Sequence, residues 1–152
     1  MERICLLITT LIGFSLSLHS QTLPSSFKTQ YLQFSMGNRT GTSETNKPEK
    51  VCNDFTFLNN NSIIGRNCIS GKINLTVKLI TSDPAKYQDN GSWSKRYFGY
   101  DPEMPTYAPG GTQNLSHVVT VGYDNHLNSY SLMIETPNAY KDVSLLWHYF
   151  NL

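Results

Sequence analysis

Lys72–Ile73–Asn74–Leu75–Thr76–Val77–Lys78–Leu79 is the stretch that decides the fold class. Ile73, Leu75, Val77 and Leu79 take alternate positions, and Lys72, Asn74, Thr76 and Lys78 fill the places between. Successive side chains of a strand point to opposite faces. A period of two with one apolar side therefore predicts a half-buried β-strand.

Upstream, Val51 to Leu58 repeats the pattern, with Phe55 and Phe57 sharing one face. Asn59–Asn60–Asn61 follows, a turn signal because asparagine tolerates left-handed backbone angles. Ser62 to Ser70 then reads as a second strand. A turn centred on Asn60 sets Cys52 opposite Cys68 on adjacent strands, within disulfide reach if the pair geometry allows. Further upstream, Phe27–Phe34 is a short strand, and the polar stretch Gly37–Lys50 reads as an exposed loop.

Downstream, Asp83–Pro84, Asp89–Gly91 and Asp101–Gly111 read as loops. Trp93–Tyr100, His117–Tyr123, Tyr130–Ile134 and Val143–Phe150 read as strands. No window of helical length carries a 3.6-residue period. Six or seven short strands in antiparallel order predict a barrel or a sandwich, and the pattern alone does not choose.

At 152 residues the chain suits one domain. A formal net charge of +1 and a charged fraction of 15% point away from nucleic acid and anionic membranes. Residues 1–20 read as a signal peptide: Arg3 is basic, and an apolar run follows from Ile4 to Leu18. That run is shorter than the roughly 20 residues of a membrane span. The mature domain is then 21–152, secreted and soluble. Once Cys5 leaves with the signal, Cys52 and Cys68 remain as an even pair, which suits an oxidising compartment. Five Asn-x-Ser/Thr sequons, at Asn38, Asn60, Asn74, Asn90 and Asn114, add the expectation of a glycoprotein.

The order of residues resembles the lipocalins, and among them the arthropod group of triabin-like salivary proteins and the apolipoprotein D-like proteins. His117–Tyr123 followed by Ser129–Ile134 looks like the family's hairpin of strands F and G, with Tyr123 as the matching end of its Thr-Asp-Tyr motif. Lys50–Phe55 resembles the Val-Cys-x-x-Phe at the start of strand B, and Met36–Asn38 with its Thr-rich loop also suits the group. Departures are plain. Thr29–Gln30–Tyr31 stands where the family has Gly-x-Trp on strand A. The family's Arg after strand H, its C-terminal helix and its last cysteine have no counterpart. The resemblance implies an all-β, antiparallel up-and-down barrel, with strand A as the place where it stands to be incomplete.

It further implies a small hydrophobic or amine ligand held inside the barrel. The expected cavity lining is Phe55, Phe57, Leu75, Val77, Val119, Val121, Tyr130 and Leu132, with Ile73 and Trp147 as further apolar-face candidates. Tyr31 and Trp147 are expected to close the barrel base. His117 shares a face with Val119 and Val121 near a mouth, His148 should face out, and His126 lies in a turn. No spacing makes a metal set, and no cofactor is expected. Nucleophile–base arrangements, Gly-x-Ser-x-Gly and His-Glu-x-x-His are missing from the sequence, so an enzyme is not expected. Two rival readings are a salivary or venom-type inhibitor of a host extracellular, haemostatic protein, acting through Gly37–Lys50 and Tyr100–Gly111, and an adhesive secreted β-sandwich.

Overall fold

The computed structural model describes residues 23–38, 43–59, 61–108, 111–140 and 143–152, with side chains at all of these except 38, 104–108, 111–115 and 138–140. Residues 1–20, read from sequence as a signal peptide, and Asn60 lie outside the described residues. The strands are β1 (Ser26–Asn38), β2 (Ser43–Thr45), β3 (Glu49–Leu58), β4 (Ser62–Asn67), β5 (Ile73–Ser82), β6 (Lys86–Tyr87), β7 (Trp93–Ala108), β8 (Gly111–Asp124), β9 (Ser129–Tyr140) and β10 (Val143–Phe150). No helix occurs among the described residues.

Eight of these strands follow one another around a ring in the order β10-β9-β8-β7-β5-β4-β3-β1, every neighbouring pair antiparallel. The last strand returns to the first. Pairing from Tyr31↔Phe150 to Asn38↔Val143 closes the barrel and leaves no open edge in the ring. This is an up-and-down barrel, consistent with a lipocalin-like one, and it replaces the sandwich. Strand A is complete, because β1 bridges β3 along its first half and β10 along its second.

Two short strands lie outside the ring. β2 adds to β1 at Ser35–Gly37, inside the stretch read from sequence as a loop. β6 adds to the start of β7. Within the stretch Asp101–Gly111, Asp101–Ala108 and Gly111 are also corrected from loop to strand. β7 and β8 stay paired to Ala108↔Gly111, with an irregularity between Asp101 and Pro105. Pro102, Pro105 and Gly110–Gly111 suggested a loop, yet the irregular register leaves Pro102 without a partner and resumes at Pro105↔Asn114, so the hairpin continues.

The register read from the Asn triple holds. β3 and β4 pair from Asn53↔Asn67 to Leu58↔Ser62, and Asn61 takes a positive φ of 58° in the turn. The same register sets Cys52 beside Cys68. They form a disulfide with Cα atoms 5.3 Å apart, closing a span of 16 residues. A loop of that size predicts about 3 kcal/mol of stabilisation. Replacing both cysteines by serine should therefore lower the melting temperature by about 10 °C in a calorimetric scan.

Up-and-down topology puts the connections at two ends. The turns β3–β4, β5–β7 and β8–β9 form one end, here the base. The connections β1–β3, β4–β5, β7–β8 and β9–β10 form the other, the mouth. Between them lies the core: Phe27, Phe55, Ile63, Val77, Trp93, Val119, Val121, Leu132, Ile134 and Tyr149. Fully burying one such side chain stabilises by roughly 1.5–3 kcal/mol.

Aromatic rings close the base. Tyr130 lies 5.4 Å from Phe27, 5.0 Å from Tyr123 and 6.2 Å from Trp93, centroid to centroid. The expectation that Tyr31 and Trp147 do this is corrected. Phe27 and Thr29 are buried, but the β1–β3 register shifts between Thr29 and Tyr31. Beyond that shift Leu32 is the residue packed on the core, beside Tyr149 of β10. A one-residue change of parity exchanges the faces of a strand. Tyr31 is thereby turned to the opposite face, where its ring stacks on Phe150.

Candidate functional site

A cavity of about 190 Å³ opens at the mouth, lined by Asn74, Leu75, Asp101, His117, Ile134, Trp147 and Tyr149. Five strands supply these seven residues, which lie far apart in sequence.

Two local features of β4 and β5 shape one wall. Gly65 pairs with Leu75 while Arg66 pairs with Ile73, so Asn74 is the extra residue of a β-bulge. A bulge re-aims the side chains around it. The uniform alternation read from 72–79 stops there. Val77 is fully buried and Leu75 packs on the core, but Ile73 is 46% exposed and Asn74 borders the cavity. The Asn74 amide donates through Nδ2 to Oδ1 of Asn53, 2.7 Å away, and Asn53 is itself buried.

Gly65 is the second feature. A Cβ there would meet the Phe55 ring at 2.8 Å, the Leu75 Cβ at 3.0 Å and the Asn74 Oδ1 at 3.1 Å. Glycine thus lets the Phe55 ring lie against the sheet, where it meets Tyr149 edge-on at 4.9 Å beneath the cavity. Gly65→Ala should cost about 1–3 kcal/mol through overpacking, seen as a lower urea midpoint with an unchanged slope.

His117 and Asp101 give the cavity its polar side. Both are buried, at 6% and 7% exposure. The His117 Nδ1 lies 2.8 Å from Oγ1 of Thr136, which has no exposure at all. Nε2 is buried and has no hydrogen-bond partner among the described residues. Burial lowers the His117 pKa, while the nearby Asp101 charge works in the opposite direction and is the smaller effect. The ring is therefore neutral at neutral pH. If Nδ1 donates to Thr136, Nε2 presents a bare lone pair; if Thr136 donates, Nε2 presents its N–H. Asp101 accepts from the Glu103 backbone N–H through Oδ1 at 2.8 Å, which fixes its carboxylate at the rim.

Trp147 and Tyr149 form the aromatic wall. Trp147 packs its ring 5.5 Å from Phe34, and burial raises the pKa of the Tyr149 phenol. No lysine or arginine borders the cavity among the described residues. Nor is there a group of three or more metal-ligating side chains among them.

Of the eight residues expected to line a cavity, Leu75 borders this one. Phe55, Val77, Val119, Val121 and Leu132 are fully buried in the core below it. Tyr130 belongs to the aromatic base. Phe57 borders a shallow groove at the base with Leu23, Leu58, Leu79 and Tyr97. Periodicity identified the inward face but not the depth along it, and depth separates lining from filling. Asp101 carries no sequence signal of its own; Asn74 was visible only as a sequon on a polar face, and Tyr149 only by its parity with Trp147. His117 was visible from its parity with Val119 and Val121. His148 faces the other way and stacks on Phe150 at 4.8 Å, and His126 is in the β8–β9 turn.

Among the sequons, Asn74 is at the mouth and Asn90 is exposed in a turn, where its Oδ1 accepts from the Ser92 N–H at 2.9 Å. Asn60 and the side chains of Asn38 and Asn114 lie outside the described residues. No protein-family model matches the chain, and neither does a curated protein or a solved structure.

Proposed function

We propose that the protein is a secreted, non-enzymatic binder of a small amphipathic molecule, held in the mouth cavity of the barrel. The observation that carries this reading is His117, which lines a cavity with aromatic walls and whose buried Nε2 finds no partner among the described residues. Leaving a buried polar atom unpaired costs about 1–3 kcal/mol. A ligand that supplies the missing hydrogen bond recovers that cost on binding.

Size and lining narrow the ligand class. A dry cavity of about 150 Å³ accepts benzene, so about 190 Å³ suits a compound of one ring with a short chain. The polar side offers acceptors: the Asp101 carboxylate, the Asn74 Oδ1 left free while Nδ2 is engaged, and His117 Nε2 in one tautomer. A cationic ammonium head fits those groups and the Trp147 face, where cation–π attraction adds about 0.5–2 kcal/mol. Of the hydrophobic and amine ligands expected from sequence, the amine fits this lining better.

Titration calorimetry with 2-phenylethylamine and with propylbenzene tests the reading. The second keeps the ring and chain and lacks the nitrogen. The amine should bind more tightly by at least about tenfold, the worth of one charge-assisted hydrogen bond. Uptake of neither compound would refute the cavity reading. Secretion is supported by the Cys52–Cys68 disulfide and the leader-like segment, and is checked by sequencing the N-terminus of protein recovered from culture medium.

One observation favours a second reading. β7 and β8 continue beyond Asp101 as a long paired hairpin at the mouth. A hairpin is a ready contact surface for a host extracellular protein such as a haemostatic protease. Exchanging residues 104–113 for a two-residue turn should abolish clotting inhibition on that reading and leave amine binding intact.

A further inference from the structure

We infer that Asn74 is a glycan attachment point that gates the mouth cavity, an inference that rests on the cavity being the binding site. Asn74–Leu75–Thr76 is a sequon, and its asparagine belongs to the cavity lining while remaining exposed. These two properties rarely coincide, because an asparagine on a regular polar face would point its glycan away from the barrel interior. The β-bulge between Gly65 and Arg66 brings them together by re-aiming Asn74 toward the mouth.

The chemistry is confined to one atom. N-glycosylation replaces one of the two hydrogens on Nδ2. The other hydrogen is the one that can continue to meet Asn53 Oδ1, 2.7 Å away. A modified Asn74 thus keeps its anchor to β3, and that anchor holds the first sugar at the cavity rim. Asp101 and Trp147 line the same small opening, so a ligand must pass the sugar on the way in and on the way out. The disulfide-closed β4–β5 connection stands next to it. There the Asn67 side chain accepts from the backbone N–H groups of Ile69 and Ser70 at 3.0 and 2.9 Å, which limits how far the rim can yield.

Thr76 gives a clean handle. It completes the sequon, is not part of the cavity lining, and pairs with Ile64 on β4. Thr76→Ala removes the glycan and leaves Asn74 in place; Thr76→Ser keeps both. The full chain is expressed in a secretory eukaryotic host, and occupancy at residue 74 is read by peptide mass spectrometry. Uptake of 2-phenylethylamine is then followed by stopped-flow tryptophan fluorescence, Trp147 being the reporter. Wild type and T76S should carry the glycan and associate about tenfold more slowly than T76A, as expected when a group must swing aside before binding. Should T76A melt far below wild type, the near-isosteric Thr76→Val, which also removes the sequon, reads the same step and should associate about tenfold faster than wild type. Equal rates with residue 74 occupied would overturn the gate, and so would an unmodified Asn74 in the secreted protein. No uptake by any form overturns the cavity reading and the gate with it. Uptake at equal rates overturns the gate alone.

Discussion

Phe55→Ala should be the most destabilising single substitution in the barrel, at about 3–5 kcal/mol. The ring has no exposure and meets Phe27 at 5.6 Å and Tyr149 at 4.9 Å. It also fills the space left open by Gly65. Truncation removes all of these contacts at once, and the closed sheet around it limits collapse into the void. The melting temperature should fall by roughly 10–15 °C. Because Tyr149 belongs to both the core and the mouth cavity, the new void joins the cavity from below. The variant should then gain affinity for 2-(1-naphthyl)ethylamine relative to 2-phenylethylamine. A loss of under 1 kcal/mol in a urea titration would show that Phe55 is not central to the core.

Asp101→Asn should cost about 3 kcal/mol, or roughly a hundredfold, in affinity for 2-phenylethylamine, and should leave propylbenzene binding unchanged. The substitution keeps the shape and the acceptor for the Glu103 N–H, and removes only the charge. Equal losses for both compounds would point to a disturbed rim instead of a lost ion pair. Acid should act in the same direction. His117 is neutral when folded because burial lowers its pKa, and once protonated it repels an ammonium head and loses its acceptor. Affinity for the amine should therefore drop as pH falls through the folded pKa of His117, below the usual histidine value near 6.5.

Stability carries the same sign. The unfolded chain takes up a proton on His117 near pH 6.5, and the folded chain resists until lower pH. Between the two values the unfolded state holds more protons, so stability falls as the pH is lowered through that window. His148, half-buried beside Phe150 and also lowered by burial, adds to the trend. His117→Gln should flatten this acid dependence of the urea midpoint in part, leaving the share due to His148.

Much of the architecture was legible in the residues alone. Alternation over 72–79 and 51–58 determined strands with a buried face, since a two-residue period has no other regular solution. The Asn triple determined a turn, and with it the register that joins Cys52 to Cys68. His117 was placed inward by its spacing from Val119 and Val121. Closure of the ring was decided by tertiary structure, because the pairing of β1 with β10 joins segments more than a hundred residues apart. So were the register shifts after Thr29 and at Asn74, each of which exchanges the faces of a strand by a single residue and carries no local composition signal. Those shifts turned Tyr31 outward and brought Asn74 to the mouth. Periodicity reports which way a side chain points; only the packing of the other strands sets whether it fills the barrel or borders its cavity.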